Sequence, residues 1–162
     1  MPQIRTATET DVPLILEFIK ALAAYERLAD RVVATEETIR RTLFGLPRFA
    51  EVLIAESDGE PVGFALFFHN YSTFLAQPGI YLEDLFVKPE ARGRGFGKAL
   101  LARLASIAKS RNCGRLEWAV LNWNQPSIDF YESLGAKPMD EWKVYRLTGD
   151  ALDSLARLKS EG

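Results

Sequence analysis

Histidine and cysteine are nearly missing from this sequence, which has one of each, His69 and Cys113, in 162 residues. A single cysteine excludes an internal disulfide and is typical of a reducing compartment. With so few soft ligands a metal centre is poorly supported, and we expect none. One thiol and one imidazole could form a catalytic pair, but a structural role for Cys113 is the favoured interpretation.

The chain also lacks an excess of charge and long apolar runs. Its net charge of −2 offers no basic field for a nucleic-acid backbone, so we expect no nucleic-acid partner. No apolar run approaches the roughly 20 residues that span a membrane, and no signal-peptide core is found at the N-terminus. We therefore expect a cytoplasmic protein with no membrane partner. A hydrophobic content of 48%, without repeats or linkers, predicts one domain over residues 1–162.

Hydrophobic periodicity predicts a mixed α/β order of elements. A turn at Asp58-Gly59 indicates an antiparallel hairpin. The segment 79–121 reads as strand, helix and strand, which predicts a right-handed parallel crossover. The predicted strands are 3–7, 51–57, 61–72, 79–87, 115–121 and 142–148. The predicted helices are 9–28, 36–43, 97–111, the segment between Asn124 and Gly135, and 150–159.

Three glycines at alternate positions stand at the start of the helix in "ARGRGFGKALLARL", residues 91–104. A Walker loop would need Ser or Thr after Gly97-Lys98, where Ala99 stands, and the dinucleotide fingerprint would need glycine at Lys98. A flexible connector is the simplest alternative. A compact basic stretch before a helix N-terminus instead favours anion binding, because unpaired amides point at the ligand. We therefore predict a phosphate-bearing ligand.

The stretch Arg92–Gly97 fits the signature R/Q-x-x-G-x-G/A and resembles the GNAT superfamily of N-acetyltransferases. The segment "NWNQPSIDFYESLGA", residues 122–136, resembles a second motif of that superfamily. Together with "IKALAAYERL" and "YLEDLFV", it is similar to the diamine (spermidine/spermine) and thialysine acetyltransferases over nearly the whole chain. The resemblance implies a single-domain GNAT fold, a mixed sheet with antiparallel N-terminal strands and a splayed parallel pair, flanked by helices. It also implies acetyl-CoA as cosubstrate, a small amine as substrate, and a homodimer.

The same resemblance implies a set of cofactor contacts. The backbone of the strand before the glycine loop would hold the pantetheine arm, the loop would hold the pyrophosphate, and the start of the later helix would add further contacts. These residues are Leu85, Phe86, Val87, Arg92, Gly93, Arg94, Gly95, Phe96, Gly97, Lys98, Asn124, Gln125, Pro126 and Ser127. Asn124 also has a competing structural role as a helix cap.

Glu83 is the candidate general base. Strand alternation is expected to place Tyr81, Glu83 and Leu85 on one face, with Leu82, Asp84 and Phe86 on the other. Two adjacent carboxylates in an apolar strand are costly unless they are paired or functional. An ion pair with a core-facing arginine is the alternative. The resemblance implies that Glu83 deprotonates the amine, since only the free base attacks a thioester.

Tyr131 is the candidate general acid. By spacing alone it reads as a core or surface tyrosine beside Phe130. The resemblance implies that it donates a proton to the departing sulfur. A phenol with an ordinary pKa of about 10 is protonated at neutral pH, as a donor must be.

Substrate recognition is carried by aromatic and acidic residues, which suit a cationic amine. The resemblance implies that the amine site is lined by Tyr25, Glu26, Glu83, Asp84, Glu117, Trp118 and Ala119. An exposed helix end at Tyr25 and Glu26, or a core role for Trp118, is the alternative. Three functions stay open: acetylation of small amines, acetylation of protein lysines or N-termini, and acyl-CoA binding without catalysis. The presence of both Glu83 and Tyr131 favours an enzyme.

Overall fold

A mixed five-stranded sheet is the centre of the fold in the computed structural model, which describes residues 2–159. The strands are β1 Gln3–Thr6, β2 Glu51–Ser57, β3 Glu60–Ser72, β4 Gln77–Val87 and β5 Leu116–Trp118. The helices are α1 Val12–Tyr25, α2 Glu36–Phe44, α3 Phe96–Ser110, α4 Gln125–Ser133 and α5 Gly149–Ala156. Short 3-10 turns cover Glu9–Asp11, Ala29–Arg31 and Pro89–Ala91. The chain divides into two compact units, the first ending at Leu121 and the second beginning at Asn122.

The strands follow one another in the sheet in the order in which they occur in the chain. The first four are antiparallel, and β4 and β5 are parallel with α3 between them, which confirms the predicted sheet. Asp58 and Gly59 have φ angles of 50° and 82°, so the predicted hairpin turn has both central residues in the left-handed region.

The parallel pair of strands is short. Its last paired residues are Leu82 and Trp118, whereas β4 continues to Val87 along β3. The strand predicted over 115–121 is therefore restricted to Leu116–Trp118. Beyond this point β4 has no partner from β5, as expected of a splayed pair, and its backbone groups on that side are not used in the sheet.

A β-bulge at Glu83 changes the faces of β4. The ladder pairs Leu66 with Asp84 but Phe67 with Leu82, so Glu83 is an extra residue without a partner on β3. Asp84 consequently shares a face with Tyr81, whose partner Phe68 lies two residues from Leu66 on β3. The expectation that Tyr81 and Asp84 lie on opposite faces is wrong, because simple alternation does not survive an inserted residue.

The core on the α1 side of the sheet is built around phenylalanines. Phe18 of α1 stacks on Phe64 with ring centroids 5.4 Å apart and approaches Phe86 at 6.0 Å. Ile15 and Leu22 of α1 belong to the same buried cluster. This packing fixes the C-terminal end of α1 relative to β4, and that end carries two of the predicted site residues.

The second unit contains α4 and α5 but no strand among its described residues. The strand predicted over 142–148 is absent, so that prediction is wrong. A strand needs a neighbour that pairs with its backbone groups, and the described part of this unit offers none. Val144 and Tyr145 are 92% and 90% exposed, so these apolar side chains of the segment are not buried.

Candidate active site

The glycine loop has the geometry of an anion site. Gly93 and Gly95 have φ angles of 76° and 88°, in the region that favours glycine, and an added Cβ at either position would meet open space. The first backbone bond of α3 runs from the amide of Ala99 to the carbonyl of Gly95, over 2.9 Å. The amides at the start of α3 therefore precede the helical ladder, and no capping side chain covers them.

These features fit the pyrophosphate of acetyl-CoA. The first turn of α3 carries no acidic side chain, and Lys98 is exposed there. Amide donors together with the positive end of a helix dipole attract a phosphate group. Residues Arg92–Lys98, which the sequence predicted as the phosphate contacts, thus supply a suitable donor set at one place.

The two loop arginines contact the protein in different ways. Arg92 Nε donates to the carbonyl of Val87 over 2.9 Å, and its guanidinium lies 4.7 Å from the centroid of the Tyr25 ring. Arg94 instead donates to Ser57 Oγ over 3.1 Å and lies above Phe96. Arg92 therefore links the glycine loop to the end of α1, a contact that sequence reasoning missed.

An acidic cluster forms where β4 bulges. It consists of Glu26 after the end of α1, Glu83 and Asp84. Burial, then Glu83 and Glu26, raise the pKa of Asp84 to about 6. Burial and Glu83 also raise the pKa of Glu26. The structure thus brings three predicted substrate residues together, with Glu83 exposed at their centre.

The acidic cluster continues towards β5. Glu117 is paired with Tyr81 in the parallel ladder, and Asn70 Nδ2 donates to Glu117 Oε1 over 3.3 Å. Burial, followed by Glu83 and Glu117, raises the pKa of the Tyr81 phenol. Trp118 follows on the half-buried β5, and Ala119 is exposed just beyond it. Asn70 and Tyr81 were not predicted as site residues, although Tyr81 begins the segment "YLEDLFV".

In the second unit, the start of α4 agrees with its predicted cap. The buried Asn124 accepts a bond from the amide of Ser127 at 3.4 Å, and Pro126 occupies the first turn. Gln125 Nε2 donates to Asp129 Oδ1 over 2.7 Å. Tyr131 is half-buried, and its ring centroid lies 5.6 Å from that of Phe130.

Comparison with known proteins places this arrangement in a family. Residues 19–136 match the family model described as the acetyltransferase (GNAT) family. The chain belongs to this family. The GNAT match spans the end of α1, the bulge, the glycine loop and α4, and this chain is an N-acetyltransferase.

Curated relatives cover almost the whole chain. The thialysine N-epsilon-acetyltransferase of Bos taurus is 41% identical over 94% of this chain and 96% of its own length. The L-ornithine N5-acetyltransferase NATA1 of Arabidopsis thaliana is 36% identical over 96% of this chain and 88% of its own. Among solved structures, an integron cassette protein of V. cholerae has a TM-score of 0.81 at 29% identity, covering 97% of this chain and 98% of that one.

Within residues 2–159 no helix is both long and apolar enough to cross a membrane. The same part of the chain contains no cluster of three or more His, Cys, Asp or Glu side chains arranged to hold a metal ion.

Proposed function

We propose that this N-acetyltransferase transfers the acetyl group of acetyl-CoA to a primary amine of a small diamine, a polyamine or a lysine-like amino acid. The observation that carries the proposal is the acidic cluster at the Glu83 bulge, on the strand that leads into the glycine loop. The named substrates of the relatives, thialysine and L-ornithine, are small amines of this kind.

The glycine loop is proposed to hold the cosubstrate. Its amides, with Arg94 and Lys98, bind the pyrophosphate, and backbone groups of Leu85–Val87 on the side of β4 away from β3 bind the pantetheine arm. When bound, acetyl-CoA supplies an acetyl thioester, which is an activated acyl donor. The start of α4 adds contacts from Asn124, Gln125, Pro126 and Ser127, as implied by the family motif.

Glu83 is proposed to prepare the amine. A lysine-like ammonium has a pKa of about 10.4, so most of it is protonated at neutral pH. Glu83 is exposed at the centre of the cluster and accepts the ammonium proton, directly or through water. The free amine then attacks the thioester carbon directly, in a ternary complex.

Tyr131 is proposed to complete the proton transfers. Its phenol donates a proton to the departing sulfur of coenzyme A, so that coenzyme A leaves as a thiol rather than as a thiolate. The family motif around α4 supports this role.

The amine is proposed to lie among acidic and aromatic side chains. Glu26, Asp84 and Glu117 supply negative charge, and Tyr25, Trp118 and Ala119 complete the lining. A carboxylate-rich pocket favours a cationic chain over a neutral one.

We propose a homodimer, supported by the exposed apolar side chains of the second unit, among them Trp142, Val144 and Tyr145. Apolar groups exposed in this number commonly mark an interaction surface. We also propose a cytoplasmic location, supported by the single free cysteine, Cys113.

An amine panel tests the proposed function. The protein is incubated with acetyl-CoA and small diamines, lysine-like amino acids, neutral-chain monoamines or lysine peptides, and free thiol is measured. We expect turnover with the diamines and amino acids. Preference for peptides would select protein acetylation instead. Coenzyme A binding without turnover of any amine would select a non-catalytic module.

The variant Tyr131→Phe tests the proposed acid in the same assay. General acid catalysis contributes about 10²–10⁴-fold, so kcat should fall by at least about 100-fold. Affinity for acetyl-CoA, measured by calorimetry, should change little, because the phenol acts only as the bond to sulfur breaks. Unchanged turnover would remove Tyr131 from the mechanism.

A further inference from the structure

Asn70 on β3 reaches over β4 to a carboxylate on β5. Its Nδ2 donates to Glu117 Oε1, although the two residues belong to strands that are not neighbours in the sheet. Adjacent strands lie about 4.8 Å apart, so the two backbones are roughly 10 Å from each other. Both side chains must therefore extend across the strand between them.

Gly79 leaves the space for this contact. Asn70 is paired with Gly79 in the β3–β4 ladder, and a Cβ added to Gly79 would collide with Asn70 Oδ1. Gly79 is not among the glycines with positive φ, so no turn requires a glycine here. A glycine inside a strand commonly permits the close approach of another group. At this position that group is the Asn70 amide.

Glu117 lies on the same face as the acidic cluster. It is paired with Tyr81, and residues paired in a ladder point to the same side of the sheet. The phenol of Tyr81 is within electrostatic range of both Glu83 and Glu117. Tyr81 lies two positions before the bulge residue Glu83, which is about 7 Å along β4. The face thus carries two centres of negative charge, whose backbones are roughly 8 Å apart.

We infer that Asn70 and Gly79 are positioning residues that hold Glu117 as a second cation subsite, so that the enzyme selects amines carrying a second positive charge. The inference rests on the proposed function, in which the reacting amine lies at Glu83. A carboxylate has about four lone-pair sites, so one bond from Asn70 leaves capacity for an ammonium group. A carboxylate that is already held loses less freedom when it binds a cation.

The test compares two amines of equal length. The first, 1,4-diaminobutane, has two ammonium groups, and the second, butylamine, has one. The variant Asn70→Leu keeps the approximate size of the side chain but removes the donor. We expect it to raise KM for 1,4-diaminobutane about fivefold, as for loss of one hydrogen bond of ordinary strength. KM for butylamine and both kcat values should not change.

Further variants separate positioning from general destabilisation. Glu117→Gln should raise KM for the diamine more than Asn70→Leu does, and the double variant should equal Glu117→Gln, because both changes act on one contact. Asn70→Ser provides a second test if Asn70→Leu folds poorly. Its side chain is too short to cross β4, so it should raise KM for the diamine to the same extent. Tyr71→Ala, at the exposed neighbouring position of β3, serves as the control and should change neither KM.

The possible results are distinguishable. An equal rise of KM for both amines, or no rise at all, would overturn the inference and leave only a structural hydrogen bond. Wild-type protein that acetylates both amines equally well would overturn the inference but leave the proposed function intact. Wild-type protein that acetylates neither amine, nor any other small amine, would overturn both.

Discussion

The glycine loop after β4 and the bulge within β4 are two ends of one segment, and they are suited to ligands of opposite charge. The glycine loop offers backbone amides, whose polarity is fixed and does not titrate. The bulge offers carboxylates crowded together, with the pKa of Asp84 raised to about 6. The first end should therefore respond to changes of backbone conformation, and the second to pH and to loss of charge.

The largest effect is expected from Glu83→Gln, which removes the proposed base at the bulge and leaves the glycine loop unchanged. Without the base, kcat should fall about 100-fold at pH 7. At high pH more of the amine is already deprotonated, so part of the rate should return. The affinity for acetyl-CoA should stay the same. A defect of equal size at every pH would assign Glu83 to substrate positioning rather than to proton transfer.

The variant Gly95→Ala breaks the loop end alone. A side chain at a φ of 88° is strained, and relief of that strain should turn the amides away from the phosphate. We expect Kd for acetyl-CoA to rise about tenfold, with the pH profile of the reaction unchanged. Gly59→Ala is the matched control, since Gly59 has a φ of 82° and open space around it but lies in the β2–β3 hairpin. Equal losses of affinity in both variants would point to general destabilisation.

Asp84→Asn tests whether the bulge makes the stability of the protein depend on pH. Burial and its acidic neighbours raise the pKa of Asp84 from 3.8 to about 6, so the folded protein keeps this proton over a range where the unfolded chain has lost it. The contribution of Asp84 to the free energy of unfolding must then fall as pH rises from about 4 to 6. Above pH 6 the variant should be more stable than wild type, by on the order of 3 kcal/mol. Denaturant unfolding at pH 4 and pH 7 measures this difference, which should be small at pH 4.

The same carboxyl should affect amine binding in the opposite sense. Protonation of Asp84 below pH 6 removes negative charge, so the wild-type KM for a diamine should rise as pH falls. In Asp84→Asn this rise should be weaker. A variant with an unchanged pH profile would show that Asp84 does not sense the substrate.

Arg92 links the glycine loop to Tyr25 at the end of α1, next to Glu26 of the acidic cluster, and the smallest effect is expected there. Arg92→Ala removes the stacking on Tyr25 and should raise KM for the amine about threefold, in addition to any loss of acetyl-CoA affinity. Arg94→Ala is the control, because Arg94 contacts Ser57 and Phe96 rather than α1. It should affect acetyl-CoA alone. Identical behaviour of the two variants would mean that the contact with Tyr25 carries no coupling.

The sequence predicted the elements that local signals specify. The cap at Asn124, the turn at Asp58-Gly59 and the helix after the glycine loop all have side-chain or backbone requirements that can be read residue by residue. The absent strand at 142–148 shows the limit of such signals. Alternating apolar residues indicate a surface that suits a sheet, but they do not supply the neighbouring strand.

The candidate site could be predicted in its residue types but not in its arrangement. The pair Glu83-Asp84 was identified because two carboxylates interrupt an apolar strand. Its bulge depends on the register with β3, which no local pattern reveals. The contact of Asn70 with Glu117 depends on the arrangement of three strands. The contact of the Arg92 guanidinium with the Tyr25 ring depends on how α1 packs.

The extra residue at Glu83 also determines which changes of chain length β4 can accept. Deleting Glu83 would remove that extra residue and leave a regular ladder, in which Leu82 and Asp84 keep their partners Phe67 and Leu66 on β3. Since the period of a strand is two, Tyr81, Asp84 and Phe86 would still share a side of the sheet. A homologue that lacks one residue at this point should therefore keep the faces of β4 and lose only the proposed base.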